Sequence, residues 1–231
     1  MSEPVTAAKC GALLDALRVK KPLVHFITNY VTVNDCANIT LAVGGAPVMS
    51  DQPDDAAEIC RLASALVFNI GTPGDRTLEA MLRAGKAANE AGIPVVLDPV
   101  GAGASSFRNR LLEKILEEVK FAAVKGNISE IRFLASGTGK SMGVDASKDD
   151  IALGSDSSAV ARLAAGLSRG IGAVVIVSGR IDVAADGERA YGISNGDAMM
   201  GRLTGTGCMG SGVVASFLGA APGESLASSI A

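Results

Sequence analysis

Six short, mostly apolar runs recur along this chain, separated by longer stretches with helical spacing. The runs are LVHFI (23–27), APVM (46–49), ALVFNI (65–70), IPVVLDPV (93–100), FAAVKG (121–126) and AVVIVSG (173–179). Most are continuous rather than alternating, the pattern of strands covered on both faces, as in parallel sheets. The stretches between them read as helices over 5–19, 32–43, 54–63, 75–91, 106–119, 127–135 and 156–169. In 106–119, Leu111, Leu112, Ile115, Leu116 and Val119 share one face. Glu113, Lys114, Glu117 and Glu118 fall largely on the other, the split that a helix covering a sheet requires. Alternating strand and helix units predict an α/β layered fold with right-handed crossovers. Two shorter segments, 181–187 and 188–193, predict a hairpin at one edge of the sheet.

Neither a linker nor an internal repeat divides the 231 residues, a length that suits one large domain and buries a core without disulfide or metal staples. Charge excludes several classes of function. Lys and Arg number 21 against 24 Asp and Glu, a net of −3, which is not the footprint of a nucleic-acid binder. There is no basic run to favour an anionic membrane, and charges interrupt every apolar stretch before it reaches a ~20-residue span. The N-terminus is acidic before it is apolar, unlike a secretory signal. Four cysteines, at 10, 36, 60 and 208, form no CxxC pair and read as reduced thiols, predicting a cytoplasmic protein. The single histidine, His25, excludes a multi-histidine metal site. It lies inside the run 23–27 and reads as a core residue rather than a catalytic one.

Glycine is abundant, 28 residues, and one cluster carries chemistry. In TGTGCMGSGVVASFLGA (204–220) a glycine-rich turn leads into an apolar, small-residue helix. Gly205 and Gly207 let a ligand approach the backbone, and the first helical amides can hold an anion with help from the helix dipole. A tight turn before a buried helix is the plainer alternative. Cys208 falls in the first turn, the position that gives a cysteine reason to be reactive. Cys10, Cys36 and Cys60 read as small buried hydrophobes. Asp98 and Lys125 close strands, Glu130 opens the helix after Lys125, and Ser178 ends another strand. Ligands of open α/β sheets bind beyond the carboxyl ends of the strands, so these four should face one crevice. Two carboxylates near phosphates suit Mg²⁺, which takes few protein oxygens and keeps its waters. Asn29, Met49 and the segment NIGT (69–72) lie at further strand ends. Gly137–Ser141 imitates the end of a phosphate-binding loop, but position 134 is Leu where that motif needs glycine, and no strand precedes it. It reads as part of a long surface loop, 136–158.

Several segments together identify a family. PLVHFITNYVT, GAPVMSD, LVFNIGT, GKAANEAGIPVVLDPVGAGAS, KGNISEI and TGTGC occur in this order over essentially the whole chain. In them the chain closely resembles the hydroxyethylthiazole kinase family of the ribokinase-like superfamily. The resemblance implies a three-layer αβα sandwich with a mostly parallel central sheet. It implies ATP-dependent phosphorylation of 5-(2-hydroxyethyl)-4-methylthiazole in thiamine salvage, Mg²⁺, and a homotrimer with active sites at subunit interfaces. By the same resemblance Asn29, Met49, Gly71 and Gly205 contact the thiazole. Lys125 (often Arg in the family), Ser178 (often Thr) and Thr204 contact ATP. Asp98 and Glu130 serve the metal and phosphates, and Gly205 and Gly207 shape the anion hole. Cys208 stands where most ribokinase-like enzymes carry a catalytic Asp. The loop 136–158 departs from the family pattern, and the helices that normally follow position 220 are largely missing. The expectation is therefore one kinase domain over 1–231 that lacks its C-terminal helices. Two other readings remain: a ribokinase-like kinase for another small alcohol, and a non-catalytic nucleotide or thiazole binder.

Overall fold

A computed structural model describes residues 4–136 and 156–231. The imitation phosphate loop, Gly137–Ser141, and most of the loop 136–158 lie outside the described residues.

The chain alternates β1 (Leu23–Ile27), β2 (Ala46–Met49), β3 (Ala65–Asn69), β4 (Val95–Asp98), β5 (Ala123–Asn127) and β6 (Val174–Ser178) with helices. The helices are α1 (Ala7–Lys20), α2 (Val33–Val43), α3 (Pro53–Leu62), α4 (Asp75–Ala91), α5 (Ser106–Glu118), α6 (Ile128–Ser136) and α7 (Ser157–Ile171). The hairpin β7 (Asp182–Ala185) and β8 (Ala190–Ile193) follows, then a short 3₁₀ segment, Ala198–Arg202. Helices α8 (Thr206–Ala220) and α9 (Ser225–Ile230) complete the described chain. The described strands form one sheet in the order β2-β1-β3-β4-β5-β6-β7-β8. Strands β1 to β6 run parallel, and β7 and β8 are antiparallel additions at the edge, as expected of the hairpin.

Parallel strands need covering on both faces, and two apolar clusters supply it. Leu66 and Phe68 point into one cluster, against Cys60, Met81, Leu112, Ile115 and Ile131 of α3 to α6. Val24, Phe26 and Val67 point into the other, against Val214, Ala215 and Leu218 of α8. The fold is thus the three-layer αβα sandwich expected. On the second face α1 adds a further covering, its buried Leu13 and Leu17 packing on Phe217. Helix α8 is therefore enclosed between sheet and α1. That explains why its sequence is apolar all round instead of amphipathic.

Two local expectations differ. The runs 93–100 and 121–126 extend beyond their strands, because Pro94 precedes β4 and a turn follows Asp98, while β5 starts two residues later and ends at Asn127. Cys36 and Cys60 are buried as expected, whereas Cys10 is half-exposed on α1. His25 is fully buried, and its Nε2 donates to the Ser50 carbonyl at 2.9 Å. Among the described residues its Nδ1 has no partner, so the ring is a core residue held there by one hydrogen bond rather than two. Burial pushes its pKa down and keeps it neutral.

Candidate active site

The strand order places the site. From β1 the chain crosses outward to β2, and from β3 it crosses the opposite way to β4. The carboxyl ends of β1 and β3 thus flank a topological switch point, where α/β sheets open a crevice. Asn29 lies just beyond β1 and Asn69 closes β3. The start of α8 lies against both: Cys208 Sγ is 3.1 Å from Asn69 Nδ2 and 3.5 Å from Asn29 Nδ2.

That start is shaped by glycine. Gly205 caps the helix with φ +83°, a conformation that side chains rarely adopt. A Cβ there would stand 2.5 Å from Thr32 Cγ2. Met209 donates the first intrahelical bond, to the Gly205 carbonyl at 2.8 Å. The amides of Thr206, Gly207 and Cys208 precede it, in the turn where helical N–H groups have no intrahelical acceptor. Lys125 reaches this turn from β5 and donates to the Gly207 carbonyl at 2.9 Å. Gly210 makes room for it, since a Cβ would come within 2.9 Å of Lys125 Cε.

The carboxylates line up beside the lysine. Asp98 stands next to Asn69 in the β3–β4 register. Its Oδ2 accepts from Asn69 at 3.0 Å and from Ser211 of α8 at 2.8 Å. Glu130 accepts from the Gly101 amide at 2.9 Å and from the Asn127 amide at 2.8 Å. Asn127 in turn accepts from the Glu130 amide at 2.9 Å, so the pair forms a capping box at the start of α6. Burial raises the pKa of both carboxyl groups. Lys125 pulls both down, and Asp98 raises Glu130 further, so the three charges share one electrostatic neighbourhood.

A cleft of about 690 Å³ runs from Lys125 past Ser178 to the 3₁₀ segment, with Thr206, Gly207 and Gly210 on its inner wall. The structure thus brings Asn29, Asn69 and Cys208 together on one side and Lys125, Ser178 and Gly207 on the other, with Asp98 and Glu130 between. Gly71 joins the first side, its amide donating to Asn69 Oδ1 at 2.9 Å. Met49 is half-buried at the end of β2 and packs on the apolar cluster that also includes Cys208. Thr204 is exposed before the cap and does not line the cleft; Thr206 does. Residues missed from the sequence are Asn69, Thr32, Ser211 and Arg108, and Arg180 and Asp182 on the cleft wall. The Arg108 guanidinium donates to the carbonyls of Ile70, Gly71 and Val100, clamping the loops after β3 and β4 together. Only NIGT at a strand end carried a signal for Asn69; the others depend on pairings distant in sequence.

A parallel sheet of this order, with a glycine-capped helix start over its switch point, gives the chain a ribokinase-like fold. Solved structures agree: a ribokinase-like superfamily protein from Enterococcus faecalis superposes with TM-score 0.58 at 11% identity, covering all of this chain and 80% of that one. The sequence profile of the hydroxyethylthiazole kinase family matches residues 14–231, and the chain belongs to that family. It is 50% identical over 212 residues to hydroxyethylthiazole kinase of Clostridium beijerinckii, covering 92% of this chain and 76% of the relative. The figures for the Ruminiclostridium cellulolyticum protein of the same name are 51% over 208 residues, 90% and 75%. The solved hydroxyethylthiazole kinase protein from Pyrococcus horikoshii superposes with TM-score 0.84 at 36% identity, covering 96% of this chain and 80% of that one.

Proposed function

We propose that this chain transfers the γ-phosphoryl group of ATP to the primary hydroxyl of 5-(2-hydroxyethyl)-4-methylthiazole, in thiamine salvage. Membership of the family supports the substrate. The observation that carries the chemistry is the open first turn of α8, facing Asn29, Asn69 and Lys125.

Phosphoryl transfer is mostly positioning and charge stabilisation. The amides of Thr206, Gly207 and Cys208 would hold the γ-phosphate oxygens, as helix starts hold anions generally. Lys125 and Ser178 line the cleft and would contact the nucleotide. Asn29, Met49, Gly71 and Gly205 would contact the thiazole across the switch point. Cys208, beside Asn29 and Asn69, would as a thiolate accept the proton of the attacking hydroxyl. The donor set fits Mg²⁺: Asp98 Oδ1 accepts no hydrogen bond from the described residues, and each Glu130 oxygen accepts only one. Asp98 and Glu130 would hold the ion with its waters, and the ion would offset phosphate charge. A homotrimer with sites at subunit interfaces belongs to the same reading by family membership; exposed Tyr30, Val31, Met199, Met200 and Leu203 flank the site segments and offer apolar surface for a subunit contact. One kinase domain over the chain and a cytoplasmic location complete the reading; no described helix is long and apolar enough to cross a membrane.

The test is ADP release from ATP and Mg²⁺ with and without hydroxyethylthiazole. Release stimulated by the thiazole is expected. Thiazole binding without turnover, or stronger stimulation by another alcohol, would overturn the reading.

A further inference from the structure

One side chain outside the roles above joins the two sides of the site. Asn69 is 2% exposed at the end of β3, and all of its hydrogen-bonding capacity is used. Its Oδ1 accepts from the Gly71 amide and from Asn29 Nδ2, each at 2.9 Å. Its Nδ2 donates to Asp98 Oδ2 at 3.0 Å and to Cys208 Sγ at 3.1 Å. A backbone N–H can only donate and a carboxylate can only accept, so these neighbours fix which way the amide faces. The NH₂ group must point at the sulfur. Asn29, held by Asn69 Oδ1, directs its own NH₂ toward the same sulfur at 3.5 Å. Its Oδ1 is occupied by Val31, Thr32 N and Thr32 Oγ1, so its orientation is fixed as well.

We propose that Asn69 is a positioning residue for phosphoryl transfer: its locked amide makes the Cys208 sulfur a hydrogen-bond acceptor and holds Asn29 beside it. The thiazole side and the reacting end of the site are then set by one group. This proposal rests on the kinase reading above.

Asn69→Asp separates the two halves of the role. It keeps the oxygen that accepts from Gly71 and Asn29, and replaces the NH₂ with an oxygen facing Asp98 and Cys208. Iodoacetamide labelling of Cys208, read by mass on its own peptide with no substrate present, should slow about tenfold. The value of kcat should fall about tenfold or more, with KM for the thiazole within about threefold of wild type. Asn69→Ala removes all four bonds and should raise that KM as well, because Asn29 loses its partner. Competing labelling is limited: burial pushes the Cys36 and Cys60 thiols up to about 11, and Cys10 lies on a different peptide. A folded Asn69→Asp variant with labelling and kcat within about twofold of wild type overturns the proposal. If that variant does not fold, Asn69→Ala with kcat and KM both within about twofold overturns it instead. Labelling needs no turnover. A wild-type chain inactive on the thiazole would therefore defeat the kinase reading, while the labelling comparison would still decide whether Asn69 holds the thiol.

Discussion

Cys208, Lys125 and Gly205 concentrate the chemistry of this site in three side-chain decisions. If Cys208 is the proton acceptor, Cys208→Ala should lower kcat by about 10²-fold or more, the contribution typical of such a group. Retention of more than about a tenth of wild-type kcat would remove the base role and leave the backbone anion hole intact. Gly205→Ala places a Cβ against Thr32 at a positive φ. The strain should cost about 1–3 kcal/mol in denaturant unfolding, with activity falling further because the first turn of α8 is displaced. Lys125 makes a test by pH. It lowers the pKa values of Asp98 and Glu130, which burial raises. If the ionised carboxylates are needed, activity is lost as pH falls through their raised pKa values. Lys125→Gln removes the opposing charge, so the acid limb of kcat/KM should move to higher pH; a limb that stays put would assign it to other groups.

Helices and strands were largely legible as separate pieces. Burial on both faces writes a continuous apolar run into each parallel strand, and burial on one face writes helical spacing into its cover. Asp98 and Ser178 were legible for the same reason, since they end their strands, and Glu130 opens the next helix as expected; Lys125 does not close β5 but lies at its middle, because the strand continues to Asn127. Pairings between elements were not legible. Asn69 matters because β3 and β4 set it beside Asp98, and Arg108 matters because α5 leans over loops distant in sequence. Neither relation leaves a local pattern. The 3₁₀ segment Ala198–Arg202 is exposed, so no burial periodicity marks it. The Arg108 clamp predicts a selective defect. Arg108→Ala frees the loop that presents Gly71, so KM for the thiazole should rise while KM for ATP changes less. Equal changes in both would show that the clamp merely supports the fold.

Taken as a whole, the molecule opens its candidate phosphate site from the start of a helix whose later turns are enclosed. Leu17 is fully buried between α1 and α8, so Leu17→Ala should cost about 2–5 kcal/mol of stability. The residue is remote from the cleft, so KM for ATP should stay near wild type below the lowered melting point. The enclosure of α8 has a further consequence. A site on a surface loop can loosen while the core stays intact, and then activity fades before the protein melts. Here the amides that would meet the phosphate lie in a first turn that is exposed to half-buried, while the sheet and α1 grip the same helix from Ser211 onward. Because that turn is anchored to the enclosed part of its own helix, heat inactivation and global unfolding should follow a single curve.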